Sequence, residues 1–188
     1  MFEDFKSKDS VSVVFTGEGK GKTSAGLGLL ARALGTGWRV AFVQFIKHWD
    51  VGEHQFLKDI GAVYGDNLVF YKGGLGFYDA GELSAKGVSL AEHKIAAQST
   101  YEFALKTAKS GDFRLVVCDE INNAANDKLI TAAQMKKLIT GRAKTTSLCL
   151  TGRNFPKSLQ SSVDIVTEMK KIKHHFDDKF LANKGIDY

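Results

Sequence analysis

The chain has 188 residues, of which 44% are apolar and 25% charged, a composition that excludes a disordered chain and is typical of one buried core. Its formal net charge of +5 suits an anionic ligand, but the basic residues form no dense block, so nucleic acid is not an expected partner. No apolar run approaches the roughly 20 residues of a membrane span. The start, MFEDFKSKDS, lacks the basic and apolar regions of a signal peptide, so we expect a cytoplasmic protein without a membrane partner.

Short apolar runs separated by helical patterns predict six strands, near 11–16, 39–46, 67–71, 114–118, 145–150 and 163–168. This alternation predicts a three-layer α/β fold, with a mostly parallel central sheet of about six strands and helices on both faces. One proline, Pro156, and no low-complexity stretch indicate a single domain over residues 1–188, with a short N-terminal tail at 1–10. Cys118 and Cys149 lie inside apolar runs, so we expect buried reduced thiols rather than a disulfide or metal site.

The first predicted strand runs into the glycine-rich segment TGEGKGKTS, residues 16–24, which opens a helix at Lys22. Such a turn directs successive backbone N–H groups into one small volume at the positive end of the helix dipole, which favours phosphate. Lys22 supplies positive charge to the phosphates, and Thr23 offers a hydroxyl to Mg²⁺. The segment departs from the usual G-x-x-x-x-G-K-[ST] pattern, because Thr16 replaces glycine, and it carries an additional lysine, Lys20.

Two helices have clear ends in the sequence. The first is expected to stop at the GTG of residues 35–37. A longer helix is predicted to begin with a capping box of Ser89 and Glu92 and to end at Gly111. The segment before it, residues 71–87, has too many glycines for regular structure and contains aromatics that a connector does not need. We expect substrate specificity to arise in this loop.

The run RLVVCDE delivers two carboxylates, Asp119 and Glu120, to the end of a predicted strand. In open α/β sheets, ligands bind at the carboxyl ends of the strands. One carboxylate can therefore bind Mg²⁺ opposite Thr23 while the other orients water or substrate. Together with the glycine-rich loop, the acidic pair predicts a P-loop NTPase fold that binds a magnesium nucleotide, and it leaves motor, kinase and transferase activities open.

Beyond these motifs, the chain resembles the P-loop type of ATP:corrinoid adenosyltransferase from Val11 to Tyr188. The resemblance is carried by FTGEGKGKTSAGLGLLARALGTG at 15–37, VAFVQFIK at 40–47 with GE at 52–53, LVVCDEINNA at 115–124, LTGRN at 150–154 and VTEMKKIKHHFDDKFLANKGIDY at 166–188. Family members share T-G-x-G-K-G-K-T, so Thr16 fits the family's own loop. The ending K-H-x-F-D followed by A-x-x-G-I-D-Y is the most specific match, because ordinary P-loop enzymes have no such tail.

The resemblance implies transfer of the 5′-deoxyadenosyl group of ATP to the cobalt of a reduced corrinoid, cob(I)alamin or cob(I)yrinic acid a,c-diamide, with release of triphosphate. The ATP-binding residues that it implies are Gly17, Glu18, Gly19, Lys20, Gly21, Lys22, Thr23, Ser24, Arg32, Gln44 and Arg153. The implied catalytic residues are Lys22, Thr23 and Glu120, and the implied Mg²⁺ ligands are Thr23, Asp119 and Glu120. Lys47, after the second strand, matches the family as well. For Arg32, Gln44 and Lys47, helix-surface solvation and strand-end polarity remain equally good explanations. Arg153 has the alternative of a surface arginine.

The family is thought to favour a four-coordinate cobalt by placing aromatic side chains beneath the corrinoid ring. The implied corrinoid-binding residues are Phe77, Tyr78, Trp49, His174 and Phe176, and residues 169–188 are expected to complete the active site. Many relatives read G-F-T-W where this chain has GFYD, so a tryptophan is missing from the loop. The aromatics can equally serve to anchor the loop on the core.

The resemblance also implies a homodimer, with a flavoprotein as one candidate electron donor. The second hypothesis is a P-loop ATP hydrolase that acts as a switch or motor on nucleic acid or protein. The few arginines are dispersed, which disfavours the arginine finger and basic strand-binding face of a motor. A third hypothesis is a binding protein that keeps ATP and corrinoid sites without turnover.

Overall fold

A computed structural model describes residues 4–78 and 84–188 of the chain. Within these residues, one sheet contains six parallel strands: β1 Ser12–Thr16, β2 Val40–Gln44, β3 Leu68–Lys72, β4 Leu115–Asp119, β5 Ser147–Thr151 and β6 Ile165–Glu168. Their order across the sheet is β3-β2-β4-β5-β1-β6. The predicted strands and the predicted parallel sheet are confirmed.

Five α-helices connect the strands in the described residues: α1 Lys22–Gly35, α2 Gly52–Tyr64, α3 Leu90–Ser110, α4 Ile121–Asn126 and α5 Ala132–Gly141. They cover both faces of the sheet and form two separate hydrophobic cores. Leu30 of α1 and Leu57 of α2 belong to one core, whereas Tyr101 of α3 and Leu138 of α5 belong to the other. No helix in the described ranges has the length and apolar character that crossing a membrane requires.

The two cysteines illustrate how the strands divide between these cores. Cys118 of β4 and Cys149 of β5 are both buried and free, and they belong to opposite cores. Alternate residues of a strand face opposite sides of a sheet, and Cys149 is paired in register with Val117, the neighbour of Cys118. The two thiols therefore lie on different faces, as buried groups of the core.

The predicted helix ends are confirmed. The Ser89 hydroxyl accepts from the backbone of Glu92, whose carboxylate accepts from the backbone of Ser89, and this capping box starts α3. Gly111 ends α3 in a left-handed conformation with φ of 80°. Helix α1 ends before Gly37, which also has a positive φ, of 77°. Local sequence signals of this kind depend on few neighbours, which is why they can be read directly from the chain.

Only part of the aromatic segment at 71–87 can be described, because its DAGEL portion, residues 79–83, lies outside the described residues. Its first residue, Tyr71, packs against the hydrophobic core, and its ring stacks on that of Phe103 with centroids 4.2 Å apart. Further on, Phe77 O accepts a hydrogen bond from Ala85 N at 2.9 Å. The loop is thus anchored on the sheet side and closed on itself near Phe77.

All six strands run in the same direction, so their carboxyl ends meet at one edge of the sheet. The glycine-rich loop follows β1, Lys47 follows β2, the acidic pair ends β4, and Arg153 follows β5. The strand order also places β6 beside β1, which brings the segment after Glu168 against the loop. The topology therefore gathers residues from four crossovers and the tail around a single site.

Candidate active site

The loop between β1 and α1 has the backbone of an anion-binding turn. Gly17 and Gly21 have φ of 97° and 107°, conformations that side chains other than glycine rarely adopt. Gly21 is the N-cap of α1 and has no side chain to satisfy the N–H groups of the first turn. Those donors, at the positive end of the helix dipole, are available to a phosphate.

The same loop is joined to the tail by two backbone hydrogen bonds. Gly19 N donates to Met169 O at 2.6 Å, and Met169 N donates to Thr16 O at 2.8 Å. A Cβ on Gly17 would lie 2.5 Å from Met169 O, and one on Gly19 would lie 2.7 Å from it. Glycine is therefore required at both positions by contact with the tail, a reason that sequence reasoning missed because the partner follows about 150 residues later.

Positive charge crowds the cleft side of the loop. Lys22 Nζ donates to Gly19 O at 2.5 Å. Burial, and next the charge of Arg153, lowers the pKa of Lys22, against the opposing effects of Glu18 and Glu120. Arg153 Nη1 lies 3.0 Å from Glu18 Oε2 across the loop. A polyanion bound here would relieve the repulsion between Lys22 and Arg153.

Lys20, the additional lysine of the loop, points to the tail. Its ammonium pairs with the Asp187 carboxylate. Hydrogen bonds from Asn183 N and then from Lys20 lower the pKa of Asp187 to about 2. His175 Nε2 lies 3.4 Å from the same carboxylate. Lys20 thus holds residues 183–188 against the loop.

The acidic pair lies at the end of β4 in two different environments. The Asp119 carboxylate is fully buried and accepts from Gln44 Nε2 at 3.0 Å and from Thr151 Oγ1 at 2.7 Å. Glu120 has a left-handed backbone, with φ of 60°, and its N–H donates to Thr151 Oγ1 at 3.0 Å. This conformation turns the chain into α4 and leaves the Glu120 side chain on the cleft wall.

Lys47 brings a cation into the middle of this cluster. Its Nζ lies 2.7 Å from Glu53 Oε1, 3.4 Å from Thr23 Oγ1 and 3.6 Å from Asp119 Oδ2. Burial opposes the charge of Lys47, but Asp119, Glu120 and Glu53 outweigh it and hold the pKa of Lys47 above its ordinary value. Two of the three predicted Mg²⁺ ligands, Thr23 and Asp119, therefore already lie beside one positive charge.

The donor set fits Mg²⁺, which prefers hard oxygen ligands such as hydroxyl and carboxylate. In residues 4–78 and 84–188 there is no group of three or more His, Cys, Asp or Glu side chains that could hold a metal ion alone. Mg²⁺ in nucleotide sites commonly uses one or two carboxylates together with substrate phosphates and water. A hydroxyl and an acidic pair beside a phosphate loop meet that need.

Burial raises the pKa of Glu120 to about 7, with Lys47 opposing the shift and Asp119 adding to it. One oxygen of this carboxylate, Oε2, is buried without a hydrogen-bond partner among the described residues. A buried, incompletely satisfied carboxylate is costly when ionised. Glu120 is therefore placed to gain from a cation that enters the cleft.

We predict that Glu120→Gln stabilises the nucleotide-free protein, and does so more at pH 8 than at pH 5. Because the folded pKa lies above the unfolded value of about 4.3, the folded state binds the extra proton, and stability is lost as pH rises through the window between them. Glutamine carries no charge and avoids this loss. The expected difference in the gain between the two pH values is about 1 to 3 kcal/mol, measured by urea unfolding. An equal gain at both pH values would contradict the raised pKa.

The cleft beside the loop has a volume of about 1020 Å³. The predicted site residues that line it are Glu18, Gly19, Lys20, Gly21, Lys22, Thr23, Ser24, Phe77, Tyr78, Glu120, Arg153, His174 and Phe176. The loop, the strand ends, the aromatic segment and the tail thus face one space. Phe56 and Ile186, which the sequence did not single out, lie on the same walls and are exposed.

Five predicted residues do not line the cleft, namely Gly17, Arg32, Gln44, Trp49 and Asp119. Gln44 and Asp119 are buried behind its wall. Trp49 packs on Phe77, with ring centroids 5.3 Å apart. Arg32 is exposed in the last turn of α1, about 15 Å along the helix axis from Lys22. The structure therefore does not bring Arg32 to the phosphate loop of its own chain.

The aromatic segment forms the wall that faces the loop. Phe77 rests on Trp49, and Tyr78 meets the edge of the buried His93 ring, with centroids 5.6 Å apart. Phe176 of the tail lines the same cleft and is 60% exposed, so its ring is open to a ligand. One side of the cleft is thus cationic and the other aromatic.

Comparison with known proteins identifies the family. The family model ATP:corrinoid adenosyltransferase BtuR/CobO/CobP matches residues 8–188. The chain is 33% identical to a corrinoid adenosyltransferase of Sinorhizobium sp. over 178 residues, 94% of this chain and 79% of that protein. It is 29% identical to one of Pseudomonas aeruginosa over 184 residues, 97% and 86% of the two chains. For one of Escherichia coli the identity is 28% over 180 residues, 95% and 85% of the two chains. The chain therefore belongs to the ATP:corrinoid adenosyltransferase family BtuR/CobO/CobP, enzymes that transfer an adenosyl group to a corrinoid.

Proposed function

We propose that residues 17–24 hold the triphosphate of ATP while a reduced corrinoid, cob(I)alamin or cob(I)yrinic acid a,c-diamide, occupies the aromatic side of the same cleft. One observation carries this assignment: Lys22, Thr23 and Glu120 line a single space together with Phe77 and Tyr78. A phosphate site and an apolar wall are what a transfer between ATP and a macrocycle requires. A hydrolase that acts as a motor has no need for the aromatic wall, and the family match does not favour that activity.

In the proposed reaction, Co(I) donates an electron pair to the ribose 5′-carbon of ATP. The bond between that carbon and the α-phosphate oxygen breaks, and triphosphate leaves with the electron pair of the broken bond. Negative charge grows on this bridging oxygen, so the chain contributes positioning and charge neutralisation rather than a nucleophile. Lys22 and the N–H groups at the start of α1 supply the neutralisation, and Arg153 adds a second charge across the loop.

Thr23 and Glu120, with Asp119 behind them, are the proposed Mg²⁺ ligands. When bound, Mg²⁺ would neutralise phosphate charge and fix the orientation of the triphosphate. Lys47 keeps an ion pair with Glu53 at 2.7 Å, which does not depend on Thr23 or Asp119. Lys47 can therefore stay paired with Glu53 when Mg²⁺ binds beside Thr23 and Asp119.

Phe77 and Tyr78, supported by Trp49, are the proposed aromatic contacts beneath the corrinoid ring. Residues 169–188, with His174 and Phe176, are proposed to complete the cleft. The ion pair between Lys20 and the tail supports this role, because it closes the tail over the loop. The chain lacks the family's loop tryptophan, and the larger aromatic surface comes instead from Trp49 behind Phe77.

Phe77→Ala is predicted to slow adenosylation from cob(II)alamin under mild reductant about tenfold more than adenosylation of preformed cob(I)alamin. An aromatic that displaces the lower axial ligand matters while Co(II) is being reduced and is not needed once Co(I) is present. Both rates can be followed by the absorbance change on forming the Co–C bond. Phe56→Ala, which removes another aromatic of the same cleft, should affect the two rates equally. An equal loss in Phe77→Ala would contradict the placement of Phe77 beneath the ring.

The activity is tested by supplying Mg-ATP and chemically reduced cob(I)alamin and measuring adenosylcobalamin and free triphosphate. Both products are expected in equal amounts. Orthophosphate without adenosylcobalamin would indicate a hydrolase, and binding of both ligands without either product would indicate a binding protein.

A homodimer, a flavoprotein electron donor and a cytoplasmic location are also proposed. The tail supports the homodimer, because Ile172, Phe180 and Leu181 are more than half exposed, and sedimentation of the purified chain tests it. Reduction of cob(II)alamin by a reduced flavoprotein, compared with chemical reductant, tests the electron donor. Use of ATP as a substrate supports the cytoplasmic location.

A further inference from the structure

A chain of buried hydrogen bonds runs behind the cleft wall, from helix α2 to the end of β5. His54 Nε2 contacts Gln44 Oε1, and Gln44 Nε2 donates to Asp119 Oδ2 at 3.0 Å. Thr151 Oγ1 donates to the other oxygen of Asp119 at 2.7 Å. Each of these four side chains is at most 1% exposed. These hydrogen bonds therefore connect α2 to the Asp119 carboxylate of β4, and solvent does not reach them.

The direction of the two hydrogen bonds made by Gln44 follows from the placement of its amide. Gln44 donates through Nε2 to Asp119 Oδ2, so its carbonyl oxygen faces His54, and this oxygen can only accept. His54 must then donate from Nε2, which defines the neutral tautomer with the proton on that nitrogen. Burial, followed by the charges of Lys72 and Lys47, lowers the pKa of His54, which agrees with a neutral ring.

Helix α2 and strand β3 hold the ring of His54 in this position. His54 lies in the first turn of α2, and its ring packs on Phe70 of β3 with centroids 5.5 Å apart. Its Nδ1 is buried, has no hydrogen-bond partner among the described residues, and lies 3.7 Å from Asp50 Oδ1, beyond hydrogen-bond distance. Among the described residues, the ring thus has one hydrogen bond, to Gln44. The packing on Phe70 would hold a ring that lacks this donor equally well.

Without that bond, the Gln44 carbonyl oxygen is buried and unpaired, and the amide is held only through its donation to Asp119. A glutamine side chain has three rotatable bonds, so the loss of one of its two contacts lets the amide move away from Asp119 Oδ2 and weakens its hold on the carboxylate. Asp119 would then turn to Lys47, whose Nζ is already 3.6 Å away. That movement would change the arrangement of Thr23 Oγ1 and Asp119 around Lys47, the oxygens that the proposed function assigns to Mg-ATP.

We propose that His54 is a positioning residue for the reaction: through Gln44 it fixes the carboxylate of Asp119, and so sets the affinity of the site for Mg²⁺ with ATP. This inference rests on the proposed function, because it takes Asp119 as part of the Mg²⁺ site. Groups that orient a metal-binding carboxylate typically change metal affinity or activity by about 10- to 100-fold when removed.

The test compares His54→Phe, which keeps a ring against Phe70 but has no donor, with His54→Gln, whose amide N–H can reach the same oxygen. Binding of a non-transferable ATP analogue is titrated with Mg²⁺ and followed by calorimetry, and adenosyl transfer is measured separately. In His54→Phe, the Mg²⁺ concentration for half-maximal binding should rise about tenfold and kcat should fall about tenfold. The KM for the corrinoid should not change, and His54→Gln should recover both quantities to within about threefold of wild type.

A control and a double variant separate positioning from packing. Phe70→Leu removes the ring contact but keeps the donor, so it should leave the Mg²⁺ titration unchanged even if thermal stability falls. Gln44→Met removes both groups of the amide, and combining it with His54→Phe should add little to the single effects, because both act on Asp119.

A normal Mg²⁺ titration in His54→Phe, or the same defect in His54→Gln as in His54→Phe, would overturn the inference. Failure of the proposed function gives a different result, because wild-type protein would then bind the analogue with Mg²⁺ and form no adenosylcobalamin.

Discussion

Replacing Lys22 by alanine is expected to lower the rate of adenosyl transfer about a thousandfold. Lys22 lies on the cleft side of the loop, and its ammonium bonds to Gly19 O at 2.5 Å, within the turn that is proposed to hold the phosphates. As triphosphate leaves, negative charge grows on the oxygen nearest the ribose. A fixed positive charge in a partly buried site stabilises that charge more strongly than water does. Single-turnover formation of the Co–C bond from preformed cob(I)alamin and saturating ATP measures the loss.

Lys20→Ala is the matched control, because it removes the other lysine of the loop. Lys20 is paired with Asp187 and is 42% exposed, so its loss should raise the KM for ATP and change kcat by less than about tenfold. The free energy of unfolding should not fall in Lys22→Ala, because burial and the charge of Arg153 already disfavour the charged form of Lys22. If Lys22→Ala kept near-normal turnover, the placement of the triphosphate on this loop would be wrong.

Gly19→Ala is expected to lower transfer about a hundredfold, although it adds a single methyl group. The new Cβ would lie 2.7 Å from Met169 O and 2.8 Å from Lys170 C, and both are backbone atoms that cannot turn aside. Loop and tail must therefore separate, and the hydrogen bond from Gly19 N to Met169 O is lost. A displacement of about 1 Å of groups that position a substrate can cost about a hundredfold in rate.

Gly28→Ala provides the comparison for this second prediction. Gly28 lies in α1, and a Cβ there meets no atom within 4 Å. Alanine should stabilise the helix by about 0.5 to 1 kcal/mol and leave transfer unchanged. Thermal unfolding and the transfer rate of the two variants test both statements. Wild-type transfer in Gly19→Ala would mean that the contact with Met169 does not shape the loop.

The fold could be read from the sequence because its signals are local. Each strand is a short apolar run, and Ser89 with Glu92 forms its capping box within four residues. The phosphate loop could be read in the same way, since Lys22 and Thr23 follow the glycines directly. Such features depend on neighbours in the chain, and the backbone obeys them wherever the packing agrees.

The surroundings of the site could not be read in this way. Gln44 and Asp119 are 75 residues apart, and Lys47 meets Thr23 across 24 residues. A motif shows that Gln44 stands at a strand end, but only the register of β2 against β4 makes it the partner of Asp119 instead of a cleft residue. Arg32 shows the same limit, because the resemblance implies a place in the ATP site while its position in the last turn of α1 is far from the loop.

The position of β1 between β5 and β6 has a consequence for synthesis of the protein. The glycine-rich loop follows β1, whereas β5 and β6, the strands on either side of β1, come after the other described strands in the chain. During translation the loop therefore lacks its backbone hydrogen bonds with Met169 until that residue has been released, so we do not expect ATP to stabilise the chain before then. Pairing over such long separations is slow, so we expect the nucleotide site to form late in folding.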